Sequence, residues 1–204
     1  MQIRLEQERD YLEVENLVRN SFWNVYRPGA YEHFIVHNLR DDESFIANLA
    51  YLIEDDNGIV GHINYSKGEI RYGDDVAPAV VLGPLSVHVD FQKQGIGSRL
   101  VNHTLEIAKD EDIPFVLVVG DEDYYSRFGF ESASKYNIYL EGTDFAEENP
   151  FFMINVFDES NIRNDLGIFR NPEVFDVDED EVDEFDRQFE YREKLVKEGQ
   201  LVFE

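Results

Sequence analysis

The sequence predicts a mixed α/β layer fold. Three observations lead there. Strand-like apolar runs alternate with helix-like periodicity along most of the chain. Hydrophobic residues make up 43% of 204 residues and aromatics 14%, enough for a proper core. A strongly apolar run also ends in a glycine turn that opens a helix-like segment, Asp90 to Leu100, DFQKQGIGSRL.

The elements follow in order. QIRL near the start reads as a short strand. Tyr11, Val14, Leu17 and Val18 share one face of a helix beginning near Glu6. A second helix is expected over Tyr31 to Asn38, after the Pro28-Gly29 turn. ANLAYLIED, then DNG, then IVGHINYSKGEIRY reads as a hairpin, because Asn-Gly between apolar runs favours a tight turn. PAVVLGPLSVHV reads as a strand whose interior Gly-Pro signals a bulge or an interrupted ladder. A helix to about Lys109 presents Leu100, Val101, Leu105, Ile107 and Ala108 on one broad face. PFVLVV reads as a buried strand, DEDYYSRF as one or two helical turns and FFMINVF as a late strand. The expected order is β-α-α-β-β-β-α-β-α-β-β.

Charge and composition narrow the function. The formal charge of -26 repels nucleic acid and anionic membranes and attracts cations, although acidity by itself also serves solubility. The chain has no cysteine, which excludes disulfides and cysteine nucleophiles. The start is charged from Arg4 onward, and no apolar run approaches the roughly 20 residues of a membrane span. A cytoplasmic protein without nucleic-acid or membrane partners is expected, and no metal is invoked. Glu173 to Lys194 carries eleven Asp/Glu against three Lys/Arg. Val182, Phe185 and Phe189 recur there at helical spacing, extended by Val196. Asp178 with Glu181 resembles a capping box, and Gly199 reads as a stop. An amphipathic helix is expected, packed on the domain or on a second chain in a homodimer.

The glycine turn fits an anion site. A helix N-terminus offers unpaired N–H groups and the positive end of the dipole, and glycines let an anion approach the backbone. The Gly-Lys-Ser/Thr ending of a nucleotide P-loop is missing. The dinucleotide fingerprint fails because position 100 is Leu. QKQGIG, Gln92 to Gly97, instead matches Gln/Arg-x-x-Gly-x-Gly/Ala, and YYSRFGF, Tyr124 to Phe130, follows the next strand. With this pair, the chain resembles the GNAT superfamily of N-acetyltransferases, over roughly Ile3 to Phe157.

The resemblance implies an acyl-CoA N-acyltransferase fold with a splayed mixed central sheet flanked by helices. It assigns 1–157 to that domain and leaves 158–204 outside the shared core, as an acidic extension whose helix is read from the Val182, Phe185 and Phe189 stripe. It implies that acetyl-CoA pairs its pantetheine arm with backbone at Leu85, Ser86 and Val87. The pyrophosphate then sits on Gln92, Lys93, Gln94, Gly95, Ile96 and Gly97, with Ser98 as a further contact. It implies that Tyr125, four residues before Gly129, protonates the leaving thiolate. GDEDYY lacks the Asn that many relatives carry at the start of that helix, so a side-chain contact to the cofactor from there is in doubt; Asp121 reads as a cap. No general base is legible: His88, His62 and Glu69 are candidates, and water-mediated deprotonation needs none. SFWNVYRPGAY occupies the segment that often lines the acceptor site in the family, with Trp23 and Tyr26 as an aromatic wall or as hydrophobic anchors. The expected activity is acetyl transfer to a primary amine of a small molecule or a protein. A non-catalytic acyl-CoA-binding module and an interaction protein using its acidic end are the alternatives.

Overall fold

Two sheets, rather than one, carry the strands. A computed structural model of the chain describes residues 1–146 and 148–200. Its elements are β1 Gln2–Leu5, α1 Tyr11–Phe22, α2 Glu32–Leu39, β2 Tyr51–Asp55, β3 Gly58–Ile63, β4 Tyr65–Tyr72, β5 Asp75–Leu82, β6 Ser86–Val87, α3 Ile96–Asp110, β7 Phe115–Val119, α4 Glu122–Tyr125, β8 Glu131–Ser132, β9 Ile138–Leu140, β10 Phe152–Val156, β11 Gly167–Arg170 and α5 Glu179–Asp186. The chain divides into two compact units. The first holds residues 1–64, 84–100 and the chain from Val174 on; the second holds 65–83 and 101–173.

The strand read as IVGHINYSKGEIRY is split at Asn64, and the one read as PAVVLGPLSVHV is split at Gly83 to Leu85. β3 pairs with β6, with His62 opposite Ser86. β4 pairs with β5, with Tyr65 opposite Leu82. Between those registers, Ile63 and Asn64 on one strand stand against Gly83, Pro84 and Leu85 on the other. Two residues against three is the count of a β-bulge, and Pro84 has no N–H to donate to a ladder. The interruption signalled by Gly-Pro is therefore where both strands change sheets.

In the first unit the sheet runs β1-β2-β3-β6. Val14, Leu17 and Val18 of α1, Val36 of α2, Leu52 of β2 and Ile59 of β3 form one buried cluster. This is the helical face predicted for α1, closed by the apolar positions of the hairpin. Arg4 ties the start of the chain down through Asp10 at 2.6 Å and Glu54 at 2.6 Å.

The acidic end also belongs to this unit. Asp178 caps α5, accepting from the N–H groups of Asp180 (2.8 Å) and Glu181 (3.2 Å), as its sequence pattern predicts. Val182 is buried, and Phe185 packs on Phe34 and His37 with ring centroids 5.2 and 4.5 Å apart. The helix stops at Asp186, shorter than the stripe through Val196 suggested. No basic residue occupies its last turn, so Asp183, Glu184 and Asp186 sit at the negative end of the helix dipole. Phe189 still packs against His33, but Val196 is 87% exposed. Asp186 is held by Arg19, whose Nε and Nη2 donate to the carboxylate at 2.5 and 3.0 Å.

In the second unit the sheet order is β8-β10-β7-β5-β4-β11-β9. β5 and β7 are parallel and most other pairs antiparallel, so the sheet is mixed. Its core gathers Ile70, Val81, Phe115, Leu117, Phe152 and Phe169, with Phe152 stacked on Phe169.

Two outcomes follow for stability. Asp186→Ala strands the Arg19 guanidinium, which is 2% exposed, without its carboxylate. Removing one partner of a buried pair costs about 3–5 kcal/mol, so urea unfolding should show a loss near the lower end because Asp186 is only partly buried. The second concerns His33, whose Nε2 lies 3.2 Å from Asp186. Burial pushes the imidazole down to about 4 from 6.5, with Asp186 opposing only in part. Between those values the unfolded chain binds a proton that the folded chain does not. Stability should therefore fall as pH drops from 6.5 towards 4, by at most about 3 kcal/mol. His33→Asn should flatten that part of the urea-stability profile.

Candidate functional site

β6 is the edge strand of its sheet. One backbone edge pairs with β3, where Gly61 faces Val87 and His62 faces Ser86. Among the described residues, no strand of that sheet takes the other edge. Leu85 is half-buried, as is Val87, while Ser86 is fully buried and its hydroxyl has no hydrogen-bond partner. The Val87 carbonyl accepts from Ser21 Oγ (3.2 Å) and from Gln92 Nε2 (3.3 Å), so the strand and the turn after it are brought together.

The turn then winds into α3. Gln92, Lys93 and Gln94 are exposed, and Gln94 Nε2 donates to the Asp90 carbonyl at 2.8 Å. Lys93 and Gly95 both take left-handed backbone, at φ 60° and 84°. Left-handed geometry suits glycine, and at Gly95 no heavy atom lies within 4 Å of where a Cβ would stand. Helical hydrogen bonding begins with Arg99 N–H to the Gly95 carbonyl at 3.0 Å. The N–H groups of Ile96, Gly97 and Ser98 therefore precede any acceptor inside the helix. Leu85 to Ser98 thus places an open strand edge and a helix N-terminus in series within the first unit.

The candidate bases sit differently. His62 is fully buried, with Nε2 3.5 Å from Glu6 Oε1. Burial raises the Glu6 carboxyl, but His62 and Arg40 outweigh it and hold it below the usual range. His88 is half-buried and its Nδ1 accepts from the Asp90 N–H at 3.3 Å. Glu69 is exposed on β4 of the second unit.

The aromatic segment between α1 and α2 also lies in the first unit. The Arg19 guanidinium stands 4.2 Å over the Trp23 ring, so one face of that indole already carries a cation. Tyr26 is 46% exposed, 6.1 Å from Phe22 between centroids. Asn24, which the sequence did not single out, is buried in left-handed backbone at φ 58°. Its N–H donates to the Gly29 carbonyl and its Oδ1 accepts the Gly29 N–H, both at 2.8 Å, which closes the loop. Its signal was an Asn ahead of Pro-Gly, since Asn tolerates left-handed backbone. Glu32, also unremarked, accepts the Tyr31 N–H at 3.0 Å, and burial raises its carboxyl above the usual range.

Tyr125 lies in the second unit, on α4. Asp121 caps that helix, accepting the Asp123 N–H at 2.9 Å. Tyr125 is 9% exposed, in edge contact with Phe128 and Phe130. A Cβ on Gly120 would stand 2.4 Å from Tyr125 Cε2, so that glycine is what lets the ring lie where it does. Asn155 Nδ2 donates to the Phe128 carbonyl at 2.8 Å and fixes the following turn.

The sequence model of the Acetyltransferase (GNAT) family matches residues 10–130. The uncharacterized N-acetyltransferase YhbS of Escherichia coli K12 is 30% identical over 138 residues, 68% of this chain and 78% of that protein. The uncharacterized N-acetyltransferase YjhQ of the same strain is 32% identical over 97 residues, 48% of this chain and 54% of that protein. Among solved structures, E. coli YhbS in complex with CoA superposes with a TM-score of 0.72 at 24% identity, covering 86% of this chain and 92% of that one. A GNAT acetyltransferase of Brucella melitensis in complex with acetyl-CoA gives 0.67 at 24% identity, covering 85% and 97%. The two solved structures share this fold.

Gly120→Ala forces either the Tyr125 ring or the backbone to move, since real Cβ atoms do not approach within 2.4 Å. It should lower stability by about 1–3 kcal/mol, as overpacking does. It should also change the near-ultraviolet circular dichroism of the tyrosines, since the Tyr125 ring is what the added methyl group meets.

Proposed function

Because the chain belongs to the acetyltransferase (GNAT) family, we propose that it transfers the acetyl group of acetyl-CoA to a primary amine by direct attack. The observation that supports this most is the series built by Leu85 to Ser98: an open β6 edge leading through a left-handed turn into the N-terminus of α3. The pantetheine amides extend the sheet at Leu85, Ser86 and Val87, as an added strand would. The pyrophosphate takes the N–H groups around Gly95, Ile96, Gly97 and Ser98, beside Gln92, Lys93 and Gln94. Residues 1–157 carry this activity; of the chain after them, β11 completes the sheet of the second unit, so the boundary expected at 157/158 does not hold, and the acidic segment from Val174 on belongs to the first unit.

In the transfer, the neutral amine nitrogen attacks the thioester carbonyl carbon. A C–N bond forms, the C–S bond breaks, and the nitrogen gives up a proton to water. The departing thiolate takes a proton from the Tyr125 hydroxyl, which a later exchange with solvent restores. A phenol suits this role because its ordinary pKa near 10 is close to that of an alkyl thiol.

Two variants divide binding from chemistry. Gly97→Val should remove acetyl-CoA binding measured by calorimetry while the fold, read by circular dichroism, survives. Tyr125→Phe should keep the binding and lower single-turnover acetyl transfer, assayed by thiol release with a panel of amines, polyamines and basic peptides. The drop should be about 10²–10⁴-fold if thiolate departure limits the rate. Unchanged affinity in a folded Gly97→Val protein, or unchanged transfer in Tyr125→Phe at saturating cofactor, contradicts the corresponding half of the proposal.

A further inference from the structure

The chain from Glu190 to Lys197 has no regular secondary structure, yet it is held in one place on the α1–α2 loop. What holds it is main chain. The Glu193 carbonyl accepts from Asn24 Nδ2 at 3.0 Å and from Trp23 Nε1 at 3.1 Å. The Leu195 N–H donates to Asn24 Oδ1 at 3.0 Å. The Asn24 side-chain amide thus reads a carbonyl and an N–H two residues apart, using both its donor and its acceptor. Gln200 adds one bond, its Nε2 donating to the Asn24 carbonyl at 3.1 Å.

The side chains of this segment contribute little. Tyr191 and Val196 are each 87% exposed, and Leu195 is 42% exposed. Lys194 pairs with Asp183 of the same extension while its methylene stem lies over Gly29 of the loop, and Arg192 reaches back to α1, to Asn20 at 2.6 Å. A segment that merely completed a core would bury its apolar side chains and be read through them. This one turns them outward and is read through peptide groups, the mode by which proteins bind extended peptides with little regard to sequence.

The geometry points to a peptide-binding site on the α1–α2 loop, made by Trp23 and Asn24, in which residues 190–197 lie as the intramolecular occupant in place of an extended peptide from another chain. That such a peptide is the acetyl acceptor rests on the acetyltransferase reading; the binding itself does not. The loop is the segment expected to line the acceptor side, so the incumbent strap and an incoming peptide acceptor compete for the same bonds. The strap wins by tethering, since an attached segment acts at an effective concentration in the millimolar range (about 1 mM or more). The net charge of -26 favours basic peptides on approach.

The test uses the full chain and a fluorescein-labelled peptide of its own residues 190–200, EYREKLVKEGQ, followed by anisotropy. Leu195→Pro with Gln200→Ala removes two strap bonds to Asn24 and leaves the loop intact. This double variant should bind the peptide about tenfold tighter than the unaltered protein, whose strap competes. A scrambled peptide of the same composition should bind about as well. Adding Asn24→Asp, which keeps the acceptor oxygen for Gly29 but replaces the donor, should weaken binding about five- to tenfold, the value of one hydrogen bond. Acetyl-CoA affinity, measured separately by calorimetry, should be unchanged throughout, so a failure of the acetyltransferase reading stays distinguishable. The inference is overturned if the indole N–H of Trp23, the one tryptophan of the chain, loses its Glu193 bond and exchanges freely in the double variant, and the protein still binds no peptide. It is equally overturned if that indole N–H stays as protected as in the unaltered protein after both bonds are removed, or if Asn24→Asp has no effect on binding.

Discussion

Backbone polar groups that the fold itself leaves without acceptors are the constraint on which the rest depends. An α-helix cannot satisfy its own first N–H groups, and an edge strand satisfies only one of its two rows. In most proteins water covers both. Here the edge strand β6 and the start of α3 follow one another within a few residues, and the turn between them holds two residues in left-handed backbone. A ligand that suits both must carry amides at one end and an anion at the other, and coenzyme A has that construction. Among the described residues β6 pairs with β3 alone, which leaves its second edge open.

The acidic extension shows a different economy. Its helix is short and badly charged for its own C-terminus, yet it is ordered through a small number of well-placed bonds. Arg19 is buried between Asp186, Trp23 and Phe189, and so links α1, the loop after it and the extension. Neutral His33 packs beside the same carboxylate and two phenylalanine rings. Replacing such a charged centre with apolar groups could be as stable. What it provides is a defined seat, so that the segment beyond Phe189 reaches Asn24 in a fixed register.

Much of this was legible in the sequence, and the illegible parts share a cause. The helical faces of α1 and α3, the buried β7 and the caps at Asp121 and Asp178 are local patterns, and each stands in the structure where its pattern lies. The sheet change at Asn64 and at Gly83 to Leu85 is a difference of one residue between two registers, which no single strand reveals; only Gly-Pro hinted at it. β8, β9 and β11 are two to four residues long, too short for alternation to register. The end of α5 was overestimated because Val196 keeps helical spacing while facing solvent. Asn24 had a local signal in the Pro-Gly that follows it, but its bonds to Glu193, Leu195 and Gln200 are to the far end of the chain and leave no trace in side-chain spacing. Leu85 to Ser98 lie in series in the first unit, and Tyr125 lies on α4 of the second, seated by Gly120 and Asp121.

The most direct measurement is a residue-resolved amide titration: ¹⁵N-labelled protein with acetyl-CoA, followed by chemical shift and by hydrogen exchange at saturation. The largest shifts and the greatest gain in protection are predicted at the backbone amides of Leu85, Val87, Ile96, Gly97 and Ser98. The amides of β9 and β11 should stay unchanged. Saturable binding that leaves those five amides unperturbed, or that perturbs chiefly the β9–β11 edge, would contradict a cofactor site built from the unsatisfied backbone of β6 and α3.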